Sequence, residues 1–519
     1  MGQVTSLSRR HVLTMGAIGL IATGCTQTPP PRPRPTKART SAPKAPKTLE
    51  ELANAITGTL TLPGDKGYDA ARLVQNPRFD DAKPLGVLTA ASATDVATGL
   101  AFAMAQAMPL ALRSGGHSYT GWSSGGAVGT GMPSALVIDT RGMTDVTVND
   151  NNTVQIQAGA SLAQVYAALG NSGRAIAAGS CATVGATGLI LGGGIGVLTR
   201  AYGLSCDALT EINIVTADGQ LRTATATKEP DLFWACRGGG GGHLGVVTSL
   251  TLSTHPAPQV TMFSLNWPFS AAADVVKAWQ GWAPQADPQL WSTLKLLAGG
   301  KHPLGPALYL SGTWIGAKSA LVGQLAPLLA AVSTAPTRNT ASTRSYLDAM
   351  MSYAGCSAVP VAQCHTGDGG QLHRESFSGT SHVPYLELNS VGIDTVIAQV
   401  SEASAVPGLI EGGISMDALG GQVRELAPSA TAFPHRTALM TVQYTATFAN
   451  GSDPAPFDAY VRGFRSALEP QWGNGAYVNY PDASLPDPSA AYFAENAQRL
   501  STVRAKYDPK GLFTQPQAY

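Results

Sequence analysis

Arg113-Ser114-Gly115-Gly116-His117-Ser118-Tyr119 and Gly179-Ser180-Cys181-Ala182-Thr183-Val184-Gly185 are the stretches on which the reading of this chain turns. Each sets one nucleophilic side chain, His117 or Cys181, in a loop of small residues where the backbone can press against a large flat ligand. The two nucleophiles stand 64 residues apart. Leu110–Arg113 reads as a strand feeding the His117 loop. Ser161–Leu169 reads as a helix stopped by Gly170, shortly before the Cys181 loop.

Around these loops, from Lys83 to Pro256, strand and helix signals alternate. Leu85–Thr89 reads as a strand, and Ser92-Ala93-Thr94-Asp95 as a capping signal. Val96, Leu100, Met104 and Met108 then recur at the spacing of an amphipathic helix. Leu136–Asp139 is a further strand, and Val146/Val148 with Val154/Ile156 alternate about Asp150-Asn151-Asn152 as in a hairpin. From Val260 to Leu468 helices are expected at Ala271–Trp282, Ser319–Val332 and Ile393–Ala403, and strands at Ala307–Ile315 and Thr437–Phe448. These signals give an α+β class, the second half being a sheet covered by helices.

Together and in this order, the His117 and Cys181 loops resemble the two covalent attachment points of the berberine bridge enzyme-like flavoproteins. The resemblance implies bicovalent FAD, with His117 on the 8α-methyl and Cys181 on carbon 6 of the ring. It implies a two-subdomain FAD-binding domain of the PCMH type over residues 48–259 and an antiparallel substrate domain over 260–468. A carboxy-terminal segment over 469–519, carrying Gly475-Ala476-Tyr477-Val478-Asn479-Tyr480 and Lys506-Tyr507-Asp508-Pro509, resembles the family's return over the flavin. By the same likeness Arg113, Ser114, Gly115, Gly116, Ser118, Ser180, Gly185, Gly188, Gly196, Gly245, Val247, Tyr477 and Asn479 surround the cofactor, with Asn479 fixing its loop.

The chemistry the resemblance implies is oxidation of an alcohol carbon. The flavin takes the hydride, and a protein base takes the hydroxyl proton. Tyr480 matches the family's base and Tyr119 its helper. Since a free Tyr titrates near 10, the base needs a neighbour that activates it. Val184, three residues after Cys181, matches the oxygen gatekeeper, and its small size resembles the oxidases. Dioxygen is thus the expected acceptor, giving hydrogen peroxide. The expected substrate is a small-molecule alcohol, either a sugar or oligosaccharide or a secondary metabolite, and Tyr444 is the candidate that faces it.

Two literal motifs compete with this reading. Gly240, Gly242 and Gly245 form a G-x-G-x-x-G, but the β-branched Val246-Val247-Thr248 follows where a dinucleotide turn needs a helix. The segment Asp231–Gly242 instead resembles the family's Gly-rich entry to a strand, whose Gly and Val backbone meets the adenylate half of FAD. Gly121-Trp122-Ser123-Ser124-Gly125 is a G-x-S-x-G, the mark of a serine hydrolase. The glycines at 125, 126, 129 and 131 do not propagate the helix such an elbow requires. A surface flavoprotein without catalysis is the third reading.

Composition sets the outer limits. A chain of 519 residues points to two domains, and 44% hydrophobic with 13% charged residues is ordinary globular composition. A formal charge of +1 gives no basic patch to hold nucleic acid. Ser8-Arg9-Arg10-His11 and Ile21-Ala22-Thr23-Gly24-Cys25 resemble a twin-arginine export signal and a bacterial lipobox over residues 1–25. The Pro-, Lys- and Ala-rich stretch 26–47 reads as a tether reaching about 60–70 Å. The expected location is outside the cytoplasm, cell-surface anchored or secreted, with membrane contact only through a lipid at Cys25. In that oxidising compartment Cys356 and Cys364 read as a disulfide. No metal is expected of Cys356, Cys364, His365 and His373, whose spacing fits no structural zinc pattern. Cys206 and Cys236 read as buried structural thiols.

Overall fold

The computed structural model describes residues 45–519; Arg9, Arg10 and Cys25 and the tether up to residue 44 lie outside them. Three main sheets organise this part of the chain. The first has four strands in the spatial order Thr59–Thr61, Gly86–Thr89, Leu136–Asp139, Leu110–Arg113. Its last three strands are mutually parallel. The helix Ala93–Ala105 crosses between the parallel strands, and its Ser92 cap accepts from the Asp95 amide as the sequence predicts. The helix ends three residues short of Met108, which lies beyond it.

The second sheet has five antiparallel strands, ordered Val146–Val148, Thr153–Gln157, Val246–Ser253, Leu209–Val215, Leu221–Ala224. The predicted hairpin at 146–156 is its edge. The helix Leu162–Asn171 opens on a complete capping box between Ser161 and Gln164 and runs through Gly170 to Asn171, two residues further than expected. Its tertiary packing outweighs the local cost of a helical glycine.

The third sheet has seven strands, all antiparallel, in the order Arg338–Arg344, Val260–Trp267, Ala307–Ile315, Leu290–Ala298, Leu409–Ala418, Met440–Phe448, Ser376–His382. Helices Ala272–Trp282, Lys318–Ala331, Ser390–Ala403 and Ala455–Trp472 contribute with one face of it to a single apolar core. Along Leu290–Ala298 the alternation is plain. Leu290, Leu294, Leu296 and Ala298 enter that core together with Ser292, and Trp291, Thr293 and Lys295 face the other way. At the centre Trp279 is fully buried, its indole N–H donating to Ser292 Oγ at 3.0 Å. The other face of this sheet is the wall of the functional cavity.

The carboxy-terminal segment comes back from the seven-stranded sheet to the first half of the chain. Leu500, Val503 and Tyr507 of helix Ala497–Tyr507 share a core with Leu232 and Phe233. The Tyr507 hydroxyl donates to Glu229 at 2.5 Å, and the buried Asp508 carboxylate accepts the amides of Leu512 and Phe513. Cys356 and Cys364 are disulfide-bonded, with Cα atoms 5.9 Å apart. No described helix is long and apolar enough to cross a membrane.

Candidate active site

One cavity of about 860 Å³ lies between the first two sheets, the polar face of the seven-stranded sheet and the returning carboxy-terminal segment. It sits near the top of the usual size range for a small-molecule or cofactor site. Strand Leu110–Arg113 delivers the His117 loop to it, and the turn that follows Ser180 delivers Cys181. The two loops meet through glycine. A Cβ built on Gly115 would stand 2.1 Å from the Gly185 nitrogen, and one on Gly185 would stand 2.3 Å from the Gly115 nitrogen. Only residues without side chains allow this approach, and it is what places His117 and Cys181 on one cavity.

His117 Nε2 is 2.9 Å from Thr183 Oγ1 of the Cys181 loop, and Nδ1 has no hydrogen bond to any described residue. Burial lowers the imidazole pKa to about 4, so the ring is neutral near neutral pH. Cys181 is exposed to the cavity, yet burial within the protein raises its thiol, partly offset by the Lys295 ammonium. Val184 closes the turn, its amide donating to the Cys181 carbonyl at 3.3 Å.

The rest of the expected cofactor set separates into wall and brace. Ser114, Gly116, Ser118, Ser180, Gly188, Gly196, Gly245, Val247 and Asn479 all line the cavity. Arg113 lines it too, but its guanidinium turns away. It donates to the carbonyls of Ala71 and Ser123 and pairs with Asp139 at 3.3 Å, bracing the strand end beneath the loop. Tyr477 is a correction, since it is not part of the wall. Its buried hydroxyl accepts from the Gly194 amide at 3.1 Å and from Asn479 Nδ2 at 2.8 Å. Asn479 also donates to the Leu189 carbonyl at 2.8 Å, which ties the carboxy-terminal loop to the Cys181 side.

Tyr119 and Tyr480 face one another in the cavity, their rings stacked with centroids 5.2 Å apart and an interplanar angle of 15°. Gln443 donates to the Tyr119 hydroxyl. Burial first, then the Tyr119 and Asp417 charges, push the Tyr480 phenol well above its ordinary value. Tyr119 moves the same way, mainly through burial. Tyr444 is the second correction. It is fully buried among the helices, its hydroxyl 2.9 Å from His382 Nδ1, because a one-residue step along a strand reverses the face. Gln443, Thr445 and Thr447 face the cavity in its place.

Sequence reading missed the wall formed by the seven-stranded sheet: Trp291, Thr293 and Lys295 on one strand, Ser415 and Asp417 on its neighbour. The available signal was polar residues at alternate positions within otherwise apolar strands. Asp417 stands directly opposite Thr293, and burial raises its carboxyl pKa. The Thr293 hydroxyl and the Lys295 ammonium partly offset that shift.

The residues present suit FAD. Ser123, Thr187 and His243 each bring to this cavity a buried polar atom without a described partner. Gly188 opens onto empty space, leaving its backbone free to meet a flat ligand. Gly240–Gly242 line the wall between helix Pro230–Ala235 and strand Val246–Ser253, the reverse of the strand-turn-helix order of a dinucleotide turn. Ser123 sits in a single 3₁₀ turn with its hydroxyl unpartnered, so no base activates it and the serine-hydrolase reading falls. Among the described residues no cluster of three His, Cys, Asp or Glu could hold a metal.

The family described as "FAD binding domain" matches residues 84–225, and that described as "Berberine and berberine like" matches residues 476–518. The uncharacterized FAD-linked oxidoreductase YgaK of Bacillus subtilis is 32% identical over 88% of this chain and 96% of its own length. The chitooligosaccharide oxidase of Gibberella zeae is 28% identical over 84% of this chain and 87% of its own. Among solved structures, a xylooligosaccharide oxidase from Myceliophthora thermophila in complex with xylobiose superposes with a TM-score of 0.80. It is 26% identical, and the match covers 90% of this chain and 98% of that one.

Proposed function

The chain belongs to the berberine bridge enzyme-like FAD-linked oxidoreductases, and from that premise we propose that it is a bicovalent FAD oxidase of a small-molecule alcohol, such as a sugar. The observation that carries this is the convergence of His117 and Cys181 on one cavity through the Gly115–Gly185 contact. FAD held there would supply the hydride acceptor, with dioxygen as the final acceptor of the electron pair and hydrogen peroxide as product. His117, in the tautomer whose Nε2–H donates to Thr183 Oγ1, would bond through Nδ1 and Cys181 through its sulfur; each bond would replace a C–H bond, the proton leaving and the two electrons passing through the flavin to dioxygen. Tyr480 takes the substrate hydroxyl proton, and the stacked Tyr119, held by Gln443, positions it. The test is anaerobic bleaching of the bound flavin by a panel of sugars and other alcohols, followed by peroxide release in air. Failure of every alcohol to bleach a fully loaded enzyme would leave only a flavoprotein without this activity.

Val184 governs access of dioxygen in this reading, since it lines the cavity in the turn that Cys181 begins. Val184→Leu is expected to slow reoxidation by dioxygen much more than it slows reduction by substrate, as read by the two half-reactions in stopped flow. Equal slowing of both removes the role.

The enzyme acts outside the cytoplasm, exported folded through the Arg9-Arg10 signal and acylated at Cys25. A precursor with both arginines changed to lysine is expected to stay in the cytoplasm, as seen by fractionation. Its normal export would count against the assignment.

A further inference from the structure

Strand Leu290–Ala298 sends Trp291, Thr293 and Lys295 into the cavity, each about 6.6–6.8 Å from the next along the chain. The Trp291 indole nitrogen and the Thr293 hydroxyl are buried, at 7% and 4% residue exposure, and neither has a hydrogen-bond partner. Lys295 makes no hydrogen bond and no ion pair with any described residue, although its charge is felt at both Cys181 and Asp417. Asp417, diagonal to Lys295 on the neighbouring strand, makes no ion pair with it. An indole N–H and an ammonium can only donate, and a hydroxyl can donate as well as accept. A buried donor left unpaired is costly, so this row calls for a ligand rich in acceptors and negatively charged at the Lys295 end.

We propose that the strand reads a hydroxylated substrate bearing a carboxylate, an acidic sugar, with Lys295 pairing the carboxylate and Trp291 and Thr293 donating to its oxygens. This rests on the alcohol-oxidase reading of the same cavity, and it narrows the substrate class. The carboxylate ends near the Lys295 ammonium, beside the Cys181 loop.

The probes are D-glucuronate and D-glucose, which differ in a carboxylate against a hydroxymethyl group. Each is titrated into the flavin-loaded enzyme, with affinity read from the perturbed flavin absorbance and reaction read separately by anaerobic bleaching. Glucuronate is expected to bind about tenfold or more tightly than glucose, the size of one charge-assisted hydrogen bond. Lys295→Met should abolish that preference and Lys295→Arg should keep most of it. Added salt should weaken glucuronate alone, a measurement that needs no variant and so survives poor folding of Lys295→Met. Equal affinities for the two probes, absence of binding by both included, or a preference that persists in Lys295→Met, would overturn the assignment. Equal bleaching with equal affinity sinks this inference and leaves the oxidase standing. Lys295-dependent binding of glucuronate without bleaching by any alcohol does the reverse.

Discussion

A His117→Ala/Cys181→Ala double variant is expected to release all of its flavin on acid precipitation, whereas the wild type stays yellow and carries one FAD mass. Each single variant should keep one bond and remain coloured after denaturation. The expectation rests on two features that act together. Gly115 and Gly185 bring the loops into backbone contact, so both nucleophiles reach one ligand. The imidazole is neutral above about pH 4, and the tautomer in which Nε2–H donates to Thr183 Oγ1 leaves the Nδ1 lone pair able to attack. Because the cavity wall is made chiefly of backbone and of side chains other than these two, the double variant should still bind FAD reversibly before denaturation. Complete release of flavin from denatured wild-type protein would mean that the two loops hold the cofactor without bonding to it.

The parts of this molecule legible in the sequence are those where local chemistry decides the outcome. The Ser92 cap, the hairpin at 146–156 and the strand Ala307–Ile315 follow from patterns a few residues long. The His117 and Cys181 loops were legible because small residues on both sides leave few other uses for them. What the sequence concealed depends on which way a side chain points. Tyr444 and Gln443 are neighbours, and only the register of strand Met440–Phe448 decides that Gln443 meets the cavity while Tyr444 meets Phe464. Tyr477 and Tyr480 share one motif, but the turn in which the Tyr480 amide donates to the Tyr477 carbonyl sends one ring into the core and the other into the site. Arg113 likewise occupies the predicted place, with its charge spent on Asp139 and on backbone carbonyls. Trp291, Thr293, Lys295 and Asp417 went unseen because neither of their strands was among those picked out in the sequence, and only the layer of helices on one face reveals the other as a polar wall.

Tyr480→Phe is expected to slow anaerobic reduction of the flavin by roughly 10²–10⁴-fold, the usual range for loss of a general base. The substitution removes one oxygen and keeps the ring. That ring is held by packing rather than by its hydroxyl, stacked on Tyr119 at 5.2 Å and edge-on to Tyr477 at 5.0 Å. Flavin loading and thermal stability should therefore survive. The surroundings set a condition on how the base works. Burial, Tyr119 and Asp417 all push the Tyr480 phenol upward, so it is protonated at rest and cannot wait as a phenolate. It can take the substrate proton only while giving up its own. The Asp417 carboxyl, itself raised by burial, is the kind of group that can receive it, since its charge reaches both phenols. Asp417→Asn should then slow the same half-reaction, while Gln443→Leu, which removes the donor to the Tyr119 hydroxyl without adding a charge, should act less strongly. The decisive measurement is stopped-flow reduction by the best substrate, wild type against Tyr480→Phe, at equal flavin occupancy. A rate unchanged within about threefold, far below the cost of losing a general base, would move the proton to Tyr119, the other phenol in the cavity.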